Sequence, residues 1–429
     1  MSDIISSVKG TRDFYPREMA VRTWLYNKMR QVSESFGYQE YEGPILETID
    51  LYAAKSGEEL VKEQSFVFPD RSGNLITLRP ELTPTLARMV AQQQRQLNFP
   101  LRWWSFGPFW RYERPQKGRS REFFQWNIDL LGEVSPEADA EMVAVMASFY
   151  RSAGLSPDEV IILVNNRRLM DAELGKLALT GEQRGDVIRL IDRRDKLAPE
   201  KWRGYALELG LSPEQFDQLL VLLDNRQLWQ KSDELVRFFN AVDALGVSEY
   251  IQFDPQIIRG LDYYTGTVYE GRATTQDIRR AVAGGGRYDN LLAEVGGDAL
   301  PGTGFAMGDV VIALLLDETG NLPANLDVSP AAVLMTIFDD DTLLASYQVA
   351  AELRSAGLNV VCYPVPAKLG KQFKYADRIG ARIALVLGPD EMTQKQVTIK
   401  NLSLREQFTV PQSEAPQIIR KILDTEKSV

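Results

Sequence analysis

The chain has no histidine in 429 residues and a single cysteine, Cys362. The first absence excludes Ser-His-Asp and Cys-His nucleophiles, histidine-based zinc sites and imidazole proton transfer near neutral pH. The second excludes an internal disulfide and fits a reducing cytoplasmic location. No apolar run reaches the length of a membrane span, and the N-terminal residues lack the pattern of a secretory signal. Net positive charge is also missing. At −10 the chain is not built to bind nucleic acid indiscriminately, although a local basic patch still can. Any chemistry here rests on arginine, lysine, carboxylates, tyrosine or the substrate's own groups.

Where cations do collect, they are concentrated. An apolar, aromatic run (Leu101 to Trp110) and a second run (Phe123 to Leu131) flank a Pro/Gly loop, which predicts an antiparallel hairpin with a long tip. Arg111, Arg114, Lys117, Arg119 and Arg121 lie in or beside that tip. Arginine holds phosphate with paired hydrogen bonds, Glu113 can accept from an amine, and Phe123 offers a face to a flat ring. The set suits a nucleoside polyphosphate, although charged hairpin tips are also common on ordinary surfaces.

Elsewhere, Arg17 to Phe36 has helical spacing and stops at Gly37. Gly43-Pro44 interrupts an aromatic strand, so that strand belongs at an edge or an interface. Glu81 and Thr83 follow Pro80 at a predicted helix start, where a simple capping role would explain them. Residues 169–248 turn helical and Leu/Arg-rich and read as an inserted module. Gly302, Gly304 and Gly308 match neither the dinucleotide fingerprint nor the P-loop. After a Pro/Asn/Asp linker, strands alternate with helices from 331 to 429, as in a small α/β domain. There Lys368, Lys371, Lys374, Arg378 and Arg382 recur at spacings of three and four, which predicts one basic helical face suited to an RNA backbone.

Taken together these stretches resemble the class II aminoacyl-tRNA synthetases, and among them the histidyl-tRNA synthetases. GYQEYEGPILE resembles the first class motif, FWRYE with its loop and Phe123 the second, and GTGFAMG the start of the third. RGLDYYTGTVYE and GGGRYD resemble the two signatures peculiar to the histidine enzymes, and LRPELT and QWNID fit the same pattern. The resemblance implies an α+β fold: an antiparallel sheet flanked by helices over residues 1–325, the helical insertion at 169–248, and an anticodon-binding α/β domain at 331–429. It implies a homodimer that joins L-histidine to tRNA(His) through a histidyl-adenylate. ATP and its Mg2+ are then substrates, and no metal is held by the protein.

The resemblance also implies roles. Arg111 and Arg259 face each other across the α-phosphate. Glu113 and Phe123 take the adenine, Arg119 and Arg121 the outer phosphates, and Gly304 and Gly308 complete the ATP site. Glu81, Thr83 and Gln125 hold the histidine ammonium, Asp129 and Tyr264 the imidazole, and Tyr263 and Tyr288 line the pocket. Gln116 and Lys117, with Lys368, Lys371, Lys374 and Arg378, face the tRNA. One departure stands out. The family's third motif continues into a Glu-Arg pair, but here Gly308 is followed by Asp309-Val310-Val311, with no arginine at Val311. Another cation, such as Arg119, substitutes, or ATP binds weakly. The alternative relative is a synthetase-like regulatory subunit of the ATP phosphoribosyltransferase of histidine biosynthesis. Such subunits generally lack the C-terminal domain and the RGLDYY stretch, both present here. The missing histidine is then either compositional drift, the simpler explanation, or a way to keep translating the enzyme when charged tRNA(His) is scarce.

Overall fold

In the computed structural model, residues 4–53, 63–194, 197–258, 264–275, 278, 281–323, 326 and 328–425 are described. The chain divides into two compact units, Met1–Ala324 and Asn325–Val429.

The first unit is organised around an eight-stranded sheet. Its spatial order is Gln39–Glu40, Leu101–Trp110, Glu122–Leu131, Gly302–Gly308, Ala281–Tyr288, Thr267–Ala273, Val160–Asn166 and Ile251–Phe253. Only the two outermost pairings are parallel; the six inner strands run antiparallel. The hairpin expected around the basic loop pairs Leu101 with Leu131 through Trp110 with Glu122.

The strand residues Gln125-Trp126-Asn127-Ile128-Asp129-Leu130 alternate polar and apolar. Successive side chains of a strand point to opposite faces, so this run sorts its chemistry onto one side. Trp126, Ile128 and Leu130 belong to the main apolar core, which also holds Met142, Val143, Met146 and Phe149 of the helix Pro136–Ser152. Trp126 meets Phe305 edge-on at 5.1 Å and Phe149 at 5.4 Å. Truncating so large a buried ring would cost roughly 3–5 kcal/mol, so the helical face anchors the sheet while the other face is left for polar groups. Arg287, on the core side, is buried against Asp139 at 2.9 Å and donates to the carbonyls of Glu133 and Ser135. That pair ties the start of the helix to the sheet.

The expected insertion consists of helices Arg167–Gly175, Gly181–Asp192, Pro199–Glu208, Pro213–Asp224 and Asp233–Ala244. Their starts are chemically marked: Asn166 caps the first, and Thr180/Gln183 and Ser212/Gln215 form capping boxes. The Gly43-Pro44 interruption separates Gln39–Glu40, an edge strand of the large sheet, from Leu46–Thr48, which joins Phe66–Pro69 and Leu75–Leu78 in a separate three-stranded sheet.

The second unit has strand order Val360–Cys362, Val333–Met335, Ile383–Val386, Gln396–Asn401, Glu406–Pro411, the first three parallel. Helix Leu369–Arg378 buries Gln372 and Ala376 and leaves Lys371, Lys374 and Arg378 exposed, with Lys368 exposed at its N-cap. Arg382 departs from the expected single face. The helix ends before Gly380, whose φ of 72° reverses the chain, and the Arg382 guanidinium donates to the carbonyl of Leu423.

Candidate active site

The polar face of the large sheet carries two adjoining cavities. The larger, about 650 Å³, is bounded by Arg111, Glu113, Arg119, Phe123 and Gly308, with Asp309 and Val311 at the start of helix Asp309–Glu318. The smaller, about 90 Å³, is bounded by Glu81, Thr83, Asn127, Asp129, Tyr264 and Tyr288. Arg111, Gln125, Gly284 and Ala306 line both, so they form the junction.

Strand alternation explains this grouping. Phe123, Gln125, Asn127 and Asp129 share a face; Gly308, Ala306 and Gly304 lie beside Gln125, Asn127 and Asp129 in register, and Gly284 lies beside Ala306. Glycine is needed at 304 for a spatial reason: a Cβ there would fall 2.2 Å from Asp129 Oδ1. At Gly284 a Cβ would meet nothing within 4 Å, so that position opens onto the cavities.

Arg111 is held at the junction by its Nε donating to the carbonyl of Pro80 at 2.9 Å, and it lies over the Phe123 ring at 5.4 Å. Phe123 is itself stacked on Phe109 at 6.0 Å. Pro80 is in turn fixed by the buried Arg79, which donates to Glu42, Gly43 and Pro108. In the small cavity the Tyr288 hydroxyl donates to Asp129 Oδ1 at 2.6 Å. Burial pushes the Asp129 carboxyl up to about 7, against the opposing effect of the Tyr288 hydrogen bond.

Helix Thr83–Gln93 begins at Leu82 without a side-chain cap, so Glu81 and Thr83 are not used as caps and instead bound the small cavity. Gly304 lines the smaller cavity rather than the larger one with Gly308. Arg119 lines the large cavity and is ion-paired with Glu113. Arg121 is not among the lining residues. Its Nε donates to the Glu113 carbonyl at 3.1 Å and its guanidinium covers the Tyr112 ring at 4.0 Å, so it braces the loop that carries Glu113. Gln116 and Lys117 are exposed at the loop tip, where Gln116 and Arg119 exchange backbone hydrogen bonds. Arg259 and Tyr263 lie outside the described residues. Asn127 was not singled out from the sequence, although the alternation of Gln125 and Asp129 predicts that it faces the same cavity.

An antiparallel sheet whose hairpin strands end in a basic loop, with a glycine-rich strand leading into a helix beside it, defines the class II aminoacyl-tRNA synthetases. Residues 10–309 match the histidyl-tRNA synthetase family and residues 331–422 the anticodon binding domain family. The histidine–tRNA ligase of Leptospira biflexa is 35% identical over 426 residues, 97% of each chain. The chloroplastic/mitochondrial histidine–tRNA ligase of Arabidopsis thaliana is 37% identical over 420 residues, covering 96% of this chain and 86% of that one. The crystal structure of histidyl-tRNA synthetase from a Nostoc species superposes with a TM-score of 0.82 at 26% identity, over 98% of this chain and all of that one. The chain therefore belongs to the histidyl-tRNA synthetase family, the histidine–tRNA ligases.

Proposed function

We propose that the two cavities hold ATP and L-histidine so that the histidine carboxylate attacks the α-phosphate at Arg111, releasing pyrophosphate and forming histidyl-adenylate. The terminal ribose hydroxyl of tRNA(His) then attacks the adenylate carbonyl and AMP leaves. The observation that carries this reading is the junction: one guanidinium, Arg111, bounds both a cleft of about 650 Å³ and a small pocket of about 90 Å³ lined by Asp129 and Tyr288.

No general base is required, which suits a chain without histidine. The attacking carboxylate is already ionised, so the protein's contribution is alignment and positive charge where the α-phosphate becomes more negative. Phe123 takes the adenine face and Glu113 its amine, which requires Glu113 to leave Arg119. Arg119, turned from Glu113, then follows the outer phosphates. Glu81, Thr83 and Gln125 receive the substrate ammonium. Asp129, held by Tyr288, reads a ring nitrogen, with Tyr264 as a wall. Mg2+ arrives with ATP as substrate. Of the two carboxylates of the large cleft, Asp309 is paired with Arg12 and Glu113 is given to the adenine amine, so neither is offered to a resident ion.

The other parts of the proposal concern assembly and tRNA. Residues 1–325, with the insertion at 169–248, form the catalytic domain, and the exposed lysines of helix Leu369–Arg378 in the 331–429 domain face the tRNA. A homodimer is supported by the three-stranded sheet, whose apolar face leaves Leu46 and Phe68 48% and 41% exposed. The test is ATP–pyrophosphate exchange. Exchange stimulated by histidine alone among the amino acids supports the reading. Histidine binding without exchange or tRNA charging would instead favour a regulatory subunit.

A further inference from the structure

Among the described residues, the charged side chains lining the larger cavity balance in sign. They are Arg111 and Arg119 against Glu113 and Asp309. A carboxylate on the wall of a polyphosphate site repels its ligand, so Asp309 is the residue that calls for an explanation. One of its oxygens has a structural duty: Oδ1 accepts the Phe124 amide at 2.9 Å, fixing the backbone next to Phe123. The charge is not needed for that bond.

Its other oxygen is met from outside the cleft. Arg12 Nη2 donates to Asp309 Oδ2 at 2.7 Å, with the carboxylate side chain only 7% exposed. Arg12 is delivered by the segment Gly10–Phe14, which lies along the start of the Glu122–Leu131 strand. There the Gly10 carbonyl accepts from the amides of Arg121 and Glu122, and the Arg12 amide donates to Glu122. A second cation, Arg22, stacks over the Phe124 ring at 3.5 Å, and burial lowers its pKa against the pull of Asp309.

We infer that Arg12, which touches neither cavity, is a positioning residue for ATP: it neutralises Asp309 on the cleft wall so that the carboxylate can hold Phe124 without repelling the phosphates. This rests on the larger cavity being the ATP site. Asparagine at 309 would keep the acceptor for the Phe124 amide and lose the charge, which separates an electrostatic role from a merely structural one.

The experiment is calorimetric titration of the full-length protein with Mg-ATP and, separately, with histidine. Arg12→Ala should weaken ATP binding roughly five- to tenfold at low salt, with the loss shrinking as salt rises and histidine affinity unchanged. Arg12→Ala combined with Asp309→Asn should return ATP affinity to within about twofold of the unsubstituted protein. ATP affinity unaltered in Arg12→Ala, a double variant as weak as the single one, or an equal loss of histidine affinity would each overturn the inference. Failure of the unsubstituted protein to bind ATP at all would overturn the functional reading along with it.

Discussion

Asp129 sets a pH dependence that can be worked out in advance. Its carboxyl is pushed up to about 7 by burial while Tyr288 donates to it at 2.6 Å. The substrate ring titrates near ~6.5 when free. In the proposed complex the ring and the carboxyl share one proton between them, as a coupled pair. Well below about pH 6 both free partners are protonated and one proton must leave on binding; well above about pH 7.5 neither is, and one must be taken up. Histidine affinity should therefore peak between about pH 6.5 and 7 and approach a tenfold loss per pH unit on either side. Asp129→Asn removes the alkaline limb and leaves the acid limb at the ring's own ionisation. Exchanging a charge-assisted hydrogen bond for a neutral one lowers the peak by about 1–2 kcal/mol, roughly five- to thirtyfold.

The same shift bears on stability. A carboxyl whose folded pKa is raised holds its proton more tightly when folded, so the empty protein loses stability as pH rises from about 4 to 7, by something on the order of 4 kcal/mol. Asp129→Asn should remove that slope and be the more stable protein at pH 8, though the poorer binder. Titration calorimetry from pH 5.5 to 8.5, in paired buffers of different ionisation enthalpy, counts the protons directly. Parallel profiles for the two proteins, with no proton released or taken up, would refute the reasoning.

Two further substitutions probe the remaining surfaces. Gly284→Val adds a side chain where nothing lies within 4 Å, at the junction of both cavities. Its melting temperature should stay close to that of the unsubstituted protein while affinity for ATP and histidine falls by at least about tenfold, and normal affinities would remove Gly284 from the site. Reversing Lys371 and Lys374 to glutamate, both exposed on helix Leu369–Arg378, should weaken tRNA binding and flatten its salt dependence while histidine-dependent exchange continues. An unchanged salt slope would show that this face does not meet the tRNA.

What was legible beforehand follows from the range of the interactions involved. The hairpin, the capped insertion helices and the alternating run Gln125–Leu130 are local patterns, and local spacing reveals them. Asn127 was within reach by the same alternation. The insertion of strand Gly302–Gly308 between Glu122–Leu131 and Ala281–Tyr288 is a long-range pairing that periodicity does not encode. It is this pairing that gives Gly304 its purpose beside Asp129. Arg12 and Asp309 are 297 positions apart, and nothing near either marks the other. Arg121 and Arg119 look equivalent in the loop, yet only Arg119 lines the cleft, because Arg121 has found a backbone carbonyl and an aromatic ring. Arg382 fits a helical face by spacing alone, and the turn at Gly380 takes it off that face.

The central claim is that Arg111 joins the two halves of the site in forming the adenylate. Rapid-quench measurement with labelled ATP and histidine, without tRNA, should show adenylate appearing to about one equivalent per active site. Arg111→Ala should slow its formation by roughly 10²–10³-fold while the fold persists. Adenylate formed at the normal rate by Arg111→Ala, or none formed by the unsubstituted protein, would contradict the account.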